Sequence, residues 1–399
     1  MTTNKEPYLQ QFELKYGCNP YQKPAAIHSL EGPHLPFSVL NGQPGYINLL
    51  DALNAWQLVH ELDEALGLPA AASFKHVSPA GAAVSIPIDD TLQQVYDCKG
   101  LELSQLATAY IRARGADPLS SFGDFISLSR KVDFSTAKLI RKMVSDGIIA
   151  PGFEDNALKL LKEKKSGKYL ILQADNDFRA PEFEFREVFG VGFTQLRNTV
   201  KINKKSLLAE VVTKKKVLPD DACRDLILAS ISLKYTQSNS VAYALDGQLI
   251  GVAAGQQSRV DCTKLAGRKA ETWFMRQHPK VLNLVFHKQI SNVERTNARI
   301  LYIDGGMTDS ELLSWESLFR SPAEEISHSE KAEWLANLKG VSLSSDAFFP
   351  FRDNIDQASK RGVDYVVQPG GSNRDEEVIT AADEYGMVMV FSAIRLFHH

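Results

Sequence analysis

Apolar residues recur at helical spacing from Ile47 through Leu49, Leu50, Leu53, Trp56, Leu58, Val59 and Leu62 to Leu66, which predicts an amphipathic helix over 46–66. The continuous apolar run 68–72 then reads as a short buried strand, with Pro79 to Gly81 as turn residues beyond it. Lys75 and His76 should therefore stand where that strand stops. A helix over 103–113, a strand over 125–128, a helix over 134–145 and a short apolar strand ending at Ala150 follow. This alternation over 46–173 is the rhythm of an α/β layer structure. It blurs between 174 and 217, where acidic and aromatic residues give way to Lys204-Lys205 and Lys214-Lys215-Lys216. Such lysine runs are solvated surface, or they attract a polyanionic ligand tail.

A second lobe opens at Pro219-Asp220-Asp221, which suits a helix N-terminus. The stretches 241–245 and 248–254 alternate around Asp246-Gly247, a hairpin signal, and a helix over 261–276 comes next. Residues 309–338 read as charged peripheral helix. The tail returns to α/β rhythm, with helix 353–361, strand 363–367, helix 374–384 and strand 387–391.

Composition changes the picture only by exclusion. At 399 residues, 44% hydrophobic and 23% charged, the chain has the make-up of a globular protein of about two or three domains. Net charge of −3 offers no basic excess for nucleic acid. No apolar run approaches the roughly 18 residues that span a bilayer, and the N-terminus has no apolar signal core. The four cysteines form no CxxC pair, which argues against disulfides or a cysteine zinc site and fits a cytoplasmic location. His60-Glu61 lacks the second histidine of HExxH.

Candidate chemistry gathers at element ends. Lys75 beside His76 places a fixed charge next to a base that titrates near neutrality, although a strand-end charge and a satisfied histidine would look the same. Residues 14–23 are an arm, or an arm that delivers Lys15 and Tyr16 to a site. The loop 114–125, with Ser120, Ser121 and Gly123, is a turn or a phosphate cradle. Gln256, Gln257 and Arg259 are recognition groups or a helix cap. Phe348, Phe349 and Phe351 around Pro350 are core or the wall of a pocket for a flat ring. Gly370 and Gly371 permit close backbone approach, and Arg395 to His399 read as a tucked terminus.

Several of these strings occur in order: Ser73-Phe-Lys-His-Val-Ser-Pro-Ala-Gly81, Arg114-Gly-Ala-Asp-Pro-Leu-Ser-Ser-Phe-Gly-Asp124, Ser145-Asp-Gly-Ile-Ile-Ala-Pro-Gly152, Lys234-Tyr-Thr-Gln-Ser-Asn-Ser240, Ala254-Gly-Gln-Gln-Ser-Arg259, Asp346-Ala-Phe-Phe-Pro-Phe-Arg-Asp353 and Arg395-Leu-Phe-His-His399. Together they resemble the transformylase half of the bifunctional purine biosynthesis proteins. The resemblance implies transfer of the formyl group of 10-formyltetrahydrofolate to the amine of 5-aminoimidazole-4-carboxamide ribonucleotide (AICAR), giving formyl-AICAR (FAICAR) and tetrahydrofolate. It implies two related cytidine-deaminase-like α/β/α lobes, 1–182 and 183–399, with 277–338 able to complete the first, in a homodimer with sites at the subunit interface. The deaminase signature H-x-E with P-C-x-x-C is absent, so the implied fold carries no zinc.

By the same resemblance His76 would take the amine proton, Lys75 would stabilise charge or hold the protonation state of His76, and Asn239 would orient the histidine or the formyl group. Lys15, Tyr16, Gly123, Asp146 and Arg395 would hold AICAR, with Phe348 and Phe397 close to its imidazole. Leu119, Phe122, Arg259, Val260, Pro350, Asp353, Gly371 and His399 would line the folate side. Thr236, Ser238, Ser240 and Asp346 resemble positions that hold a potassium ion. The chain departs from the family pattern at Lys15, where arginine is usual, and a lysine loses bidentate phosphate geometry. The family's N-terminal cyclohydrolase domain is also missing, so a monofunctional transformylase is expected, with a separate IMP cyclohydrolase closing the ring. The competing readings are a non-catalytic nucleotide- or folate-binding regulator and a deaminase-like hydrolase. The first should have lost Lys75, His76 and Asn239, which are present, and the second lacks its zinc ligands.

Overall fold

The computed structural model describes residues 9–30, 34–208 and 210–399, with 9–11 described for their backbone alone. The described residues form sixteen strands. β1 (Leu9–Leu14) and β2 (Ala25–Ser29) pair as a hairpin, as do β9 (Phe183–Val188) and β10 (Val191–Leu196). The others are β3 (Phe37–Asn41), β4 (Ala70–Lys75), β5 (Ser78–Val84), β6 (Asp124–Leu128), β7 (Ser145–Ala150), β8 (Leu170–Ala174), β11 (Glu210–Val211), β12 (Val241–Leu245), β13 (Gln248–Ala253), β14 (Val341–Ser345), β15 (Val363–Gln368) and β16 (Val388–Phe391). These twelve form one sheet in the order β11-β16-β15-β14-β12-β13-β5-β4-β6-β7-β8-β3.

Alternating side chains divide between two covering layers, as strand geometry requires. Ala70, Ala72 and Phe74 join the core under the helices Tyr46–Leu66 and Asp220–Lys234, while Ala71 joins the core under Gln105–Ala116 and Arg259–Met275. Ala242 and Ala244 divide from Val241 and Tyr243 in the same way. The result is the expected α/β/α layering in two related halves. In each half a hairpin (β4–β5, β12–β13) lies against an antiparallel strand (β6, β14), then two parallel neighbours (β7–β8, β15–β16), then an antiparallel edge strand (β3, β11).

The halves meet where β5 and β13 run antiparallel, with Ala83 opposite Gln248. This register decides where chemistry can collect. Lys75 lies beside Ser78, the start of β6 pairs near that end of β4, and the start of β7 pairs with the start of β6. Across the seam, Ala253 pairs with Val241, Val241 with Ser345, Ser344 with Val367 and Gln368 with Phe391. One edge of the sheet therefore gathers the ends of β4, β13, β14, β15 and β16 with the starts of β6, β7 and β12.

Between the helix Arg259–Met275 and β14 sits a group of helices over 279–335 around Leu284, Phe286, Ala298, Trp315 and Phe319. Three of these helices open on reciprocal capping boxes, Ser291 with Glu294, Thr308 with Glu311 and Ser327 with Glu330. One expected turn is displaced. Pro79 to Gly81 lie inside β5, because the reversal is made by His76 and Val77 alone.

Candidate active site

His76 and Val77 both have positive φ, 52° and 60°. Two-residue hairpin turns with this backbone are usually Asn-Gly, and a β-branched residue there is strained. Strain of this kind persists where surrounding structure imposes it, as at functional sites. Here the helix Tyr46–Leu66 imposes it: the Val77 N–H donates to Oδ1 of Asp51 at 2.6 Å. The turn leaves His76 exposed and Lys75 half-buried, with Lys75 Nζ donating to the Phe122 carbonyl. Gly123, at φ 73°, lies so close that a Cβ there would stand 3.4 Å from Lys75 Nζ.

The loop beneath is tightly tied. Asp117 accepts from the Ser120 N–H (3.0 Å) and hydroxyl (2.6 Å) and pairs with Lys269 of the second half at 2.9 Å. Burial works against ionised Asp117, yet Lys269 and Ser120 hold its pKa below the ordinary carboxylate value. Ser73 and Ser121 share a hydrogen bond of 2.8 Å, and Ser73 also donates to buried Asp124 at 2.6 Å. A cleft of about 630 Å³ opens above, lined by Lys75, His76, Pro79, Leu119, Gln237 and Lys269 among others. Its walls come from both halves, which are stitched together where the Gln237 N–H donates to Ser78 Oγ at 3.4 Å.

Asn239 follows Gln237 along the same edge. Its Oδ1 accepts from Arg259 Nη2 at 2.7 Å and its Nδ2 donates to the Gln257 carbonyl at 3.2 Å. Arg259 Nη1 in turn donates to Ser345 Oγ at 2.9 Å and to Asp346, a fully buried carboxylate that also accepts the Ser240 N–H at 2.9 Å. The C-terminal segment closes over this network. Leu396 N–H donates to the Asp346 carbonyl (2.8 Å), and Ser238 and His398 exchange bonds of 2.9 and 3.0 Å. Among the potassium candidates, Thr236 donates its hydroxyl to the Ser232 carbonyl, Asp346 is engaged by Arg259, and Ser240 Oγ is buried without a partner. An orphaned buried hydroxyl among oxygen donors suits a hard cation. No cluster of three or more His, Cys, Asp or Glu able to hold a metal occurs among the described residues.

The remaining sequence candidates fall into four groups. Leu119 and Phe122, both exposed, stand by the Lys75 loop, and Asp146 at the start of β7 is held by Lys165 at 2.7 Å. Phe348, Pro350, Asp353, Gly371, Arg395, Phe397 and His399 lie beyond the ends of β14, β15 and β16. There Arg395 covers the Phe397 ring at 4.8 Å, the Phe397 and His399 rings are 5.5 Å apart, and the Gly371 N–H donates to Asp375. Val260 is half-buried in the first turn of the helix Arg259–Met275. Lys15 and half-buried Tyr16 follow β1, and neither lines the cleft. Sequence reasoning missed Asp51, Gln237 and Lys269. Asp51 had a visible signal, an acid within the apolar face of a helix.

A family model described as AICARFT/IMPCHase bienzyme matches residues 2–269. The "Bifunctional purine biosynthesis protein PurH" of Magnetococcus marinus is 33% identical over 406 residues, which cover 99% of this chain and 61% of that protein. Its namesakes in Cereibacter sphaeroides and Roseobacter denitrificans are 32% and 31% identical, covering 97% of this chain and 59% of theirs. The chain thus spans about three-fifths of the length of these relatives.

Proposed function

The chain belongs to the AICARFT/IMPCHase bienzyme family, and on that premise we propose that it transfers the formyl group of 10-formyltetrahydrofolate to the 5-amino group of AICAR. The observation that carries this reading is the Lys75–His76 turn, which opens on a cleft walled by both halves of the sheet. The acceptor is an arylamine whose lone pair is delocalised, so it is a weak nucleophile and benefits from a base as it attacks. The amine nitrogen bonds to the formyl carbon, and His76 takes the proton that the nitrogen sheds. The formyl oxygen becomes an oxyanion, which the Lys75 ammonium faces. Collapse then breaks the bond from the formyl carbon to N10 of the folate, and His76 returns its proton to that nitrogen. Asn239, held by Arg259, is the polar group that orients the reactants from the second half.

We assign nucleotide contacts to Gly123, Asp146, Arg395, Lys15 and Tyr16, and the folate side to Leu119, Phe122, Val260, Pro350, Asp353, Gly371 and His399. Because Lys15, Tyr16 and the aromatic group of Phe348 and Phe397 do not line the cleft of one chain, a second copy is proposed to complete the site, in a cytoplasmic homodimer. A potassium ion, where bound, would be held by Thr236, Ser238, Ser240 and Asp346 and would fix the Asn239 segment electrostatically. We assign no ring-closing role to these residues.

Protein mixed with AICAR and 10-formyltetrahydrofolate should release tetrahydrofolate, and absence of turnover overturns the proposal. His76→Ala should lose roughly 100-fold or more in kcat. A full rate in that variant would refute the base while leaving the reaction intact. Accumulation of inosine monophosphate would reveal a second activity in the same residues.

A further inference from the structure

Asp51 is a buried acid of the site that the mechanism above does not use. It sits in the second turn of the helix Tyr46–Leu66, 6% exposed, directly under the His76–Val77 turn. Its Oδ1 accepts the Val77 N–H at 2.6 Å. Among the described residues no lysine or arginine forms an ion pair with it, and the Val77 N–H is the donor it is bonded to. The charges that act on it are those of His76 and Lys75, which favour its ionised form, and of Asp146, which opposes it.

We propose that Asp51 is the positioning residue of the Lys75–His76 turn, clamping the Val77 N–H and facing the His76 imidazole with a negative charge that orders it for proton removal from the acceptor amine. The inference rests on the formyl-transfer reading. A clamp alone needs only an acceptor, and a neutral amide carbonyl would serve. A carboxylate at this depth is the costlier choice. Burial pushes Asp51 from the ordinary carboxylate value up to about 6. A carboxyl whose folded pKa is raised stabilises the fold when protonated, and that contribution is lost as the pH rises through about 6. At neutral pH the ionised group therefore weakens the fold, as functional groups often do and structural ones rarely do.

The test is Asp51→Asn, which keeps shape and acceptor and removes charge. At pH 7.5 its Tm should rise by about 2–6 °C. That advantage should shrink as the pH is lowered toward the ordinary carboxylate value. Its kcat should fall roughly 10- to 100-fold while KM changes little. Asp51→Ala, which removes the clamp as well, should lose at least as much rate. A kcat equal to wild type in Asp51→Asn overturns the inference and leaves formyl transfer standing. If wild type itself does not turn over, the formyl-transfer reading fails separately. Diethylpyrocarbonate modification of His76, followed by mass spectrometry, then decides whether Asp51 governs that side chain, since an unchanged rate in Asp51→Asn rules it out.

Discussion

Asp346 is fully out of water, and the charge that answers it is Arg259, itself 7% exposed at the side chain. Removing one partner of a buried pair strands the other, so Arg259→Ala should cost roughly 3–5 kcal/mol in urea unfolding. The same arginine holds Asn239, so Arg259→Lys, which keeps the charge and loses the fork, should be milder in stability yet still slow turnover. Equal stability of wild type and Arg259→Ala would mean that Asp346 is not carried as a charge. Much of this neighbourhood was legible in the sequence: Lys75, His76, Asn239 and Arg259 stand at element ends that periodicity located. Lys269 was not, because it reaches the site from the middle of a helix and depends on which face that helix turns inward, and Asp51, visible as an acid within an apolar face, gave no sign of its bond to the turn. Nor was the strained turn, since His-Val carries none of the residues that announce positive φ.

The two halves repeat their packing as well as their strand order. Gly81 in β5 lies against the helix Gln105–Ala116 so closely that a Cβ would be 2.1 Å from the Ala113 carbonyl oxygen. Gly251 in β13 meets the helix Arg259–Met275 in the same way, 2.2 Å from the Ala266 oxygen. Neither clash is with a flexible side chain, so the helix would have to lift. Gly81→Ala and Gly251→Ala should each lower stability by about 1–3 kcal/mol or more. Gly81→Ala should also disturb turnover, because β5 begins at the cleft. A variant within about 0.5 kcal/mol of wild type by chemical denaturation would contradict the close approach. The repeat itself was only half visible in the sequence. Asp246-Gly247 announces the β12–β13 hairpin, whereas the β4–β5 hairpin is hidden behind Pro79 and Gly81, and it is the helix contact, not a turn, that requires Gly81.

At the scale of the molecule, the seam between β5 and β13 decides whether there is a site at all, since each half contributes one wall of the cleft. Two buried groups close that seam. Lys234 of the second half donates to Glu61 of the first at 2.9 and 3.2 Å, and Tyr235 adds a bond of 2.8 Å to the same carboxylate. On the opposite face Arg112, 2% exposed, spans the junction with all of its bonds to acceptors that have no charge: Ile86 O (2.8 Å), Pro87 O (2.7 Å), Asp246 O (3.0 Å) and Gln248 Oε1 (2.8 Å). Arg112→Met would fill the space and leave these oxygens in an apolar seam, at a cost of roughly 3–5 kcal/mol. With the sheet continuous across the halves, urea unfolding should remain one transition, with fluorescence and far-ultraviolet dichroism midpoints coinciding in wild type. In Arg112→Met the midpoint should fall, and turnover should fall with it before the protein unfolds, because the halves that Arg112 joins supply the two walls of the cleft proposed for formyl transfer. Two separate transitions in wild type would show instead that the halves fold independently, and that the cleft depends on their docking.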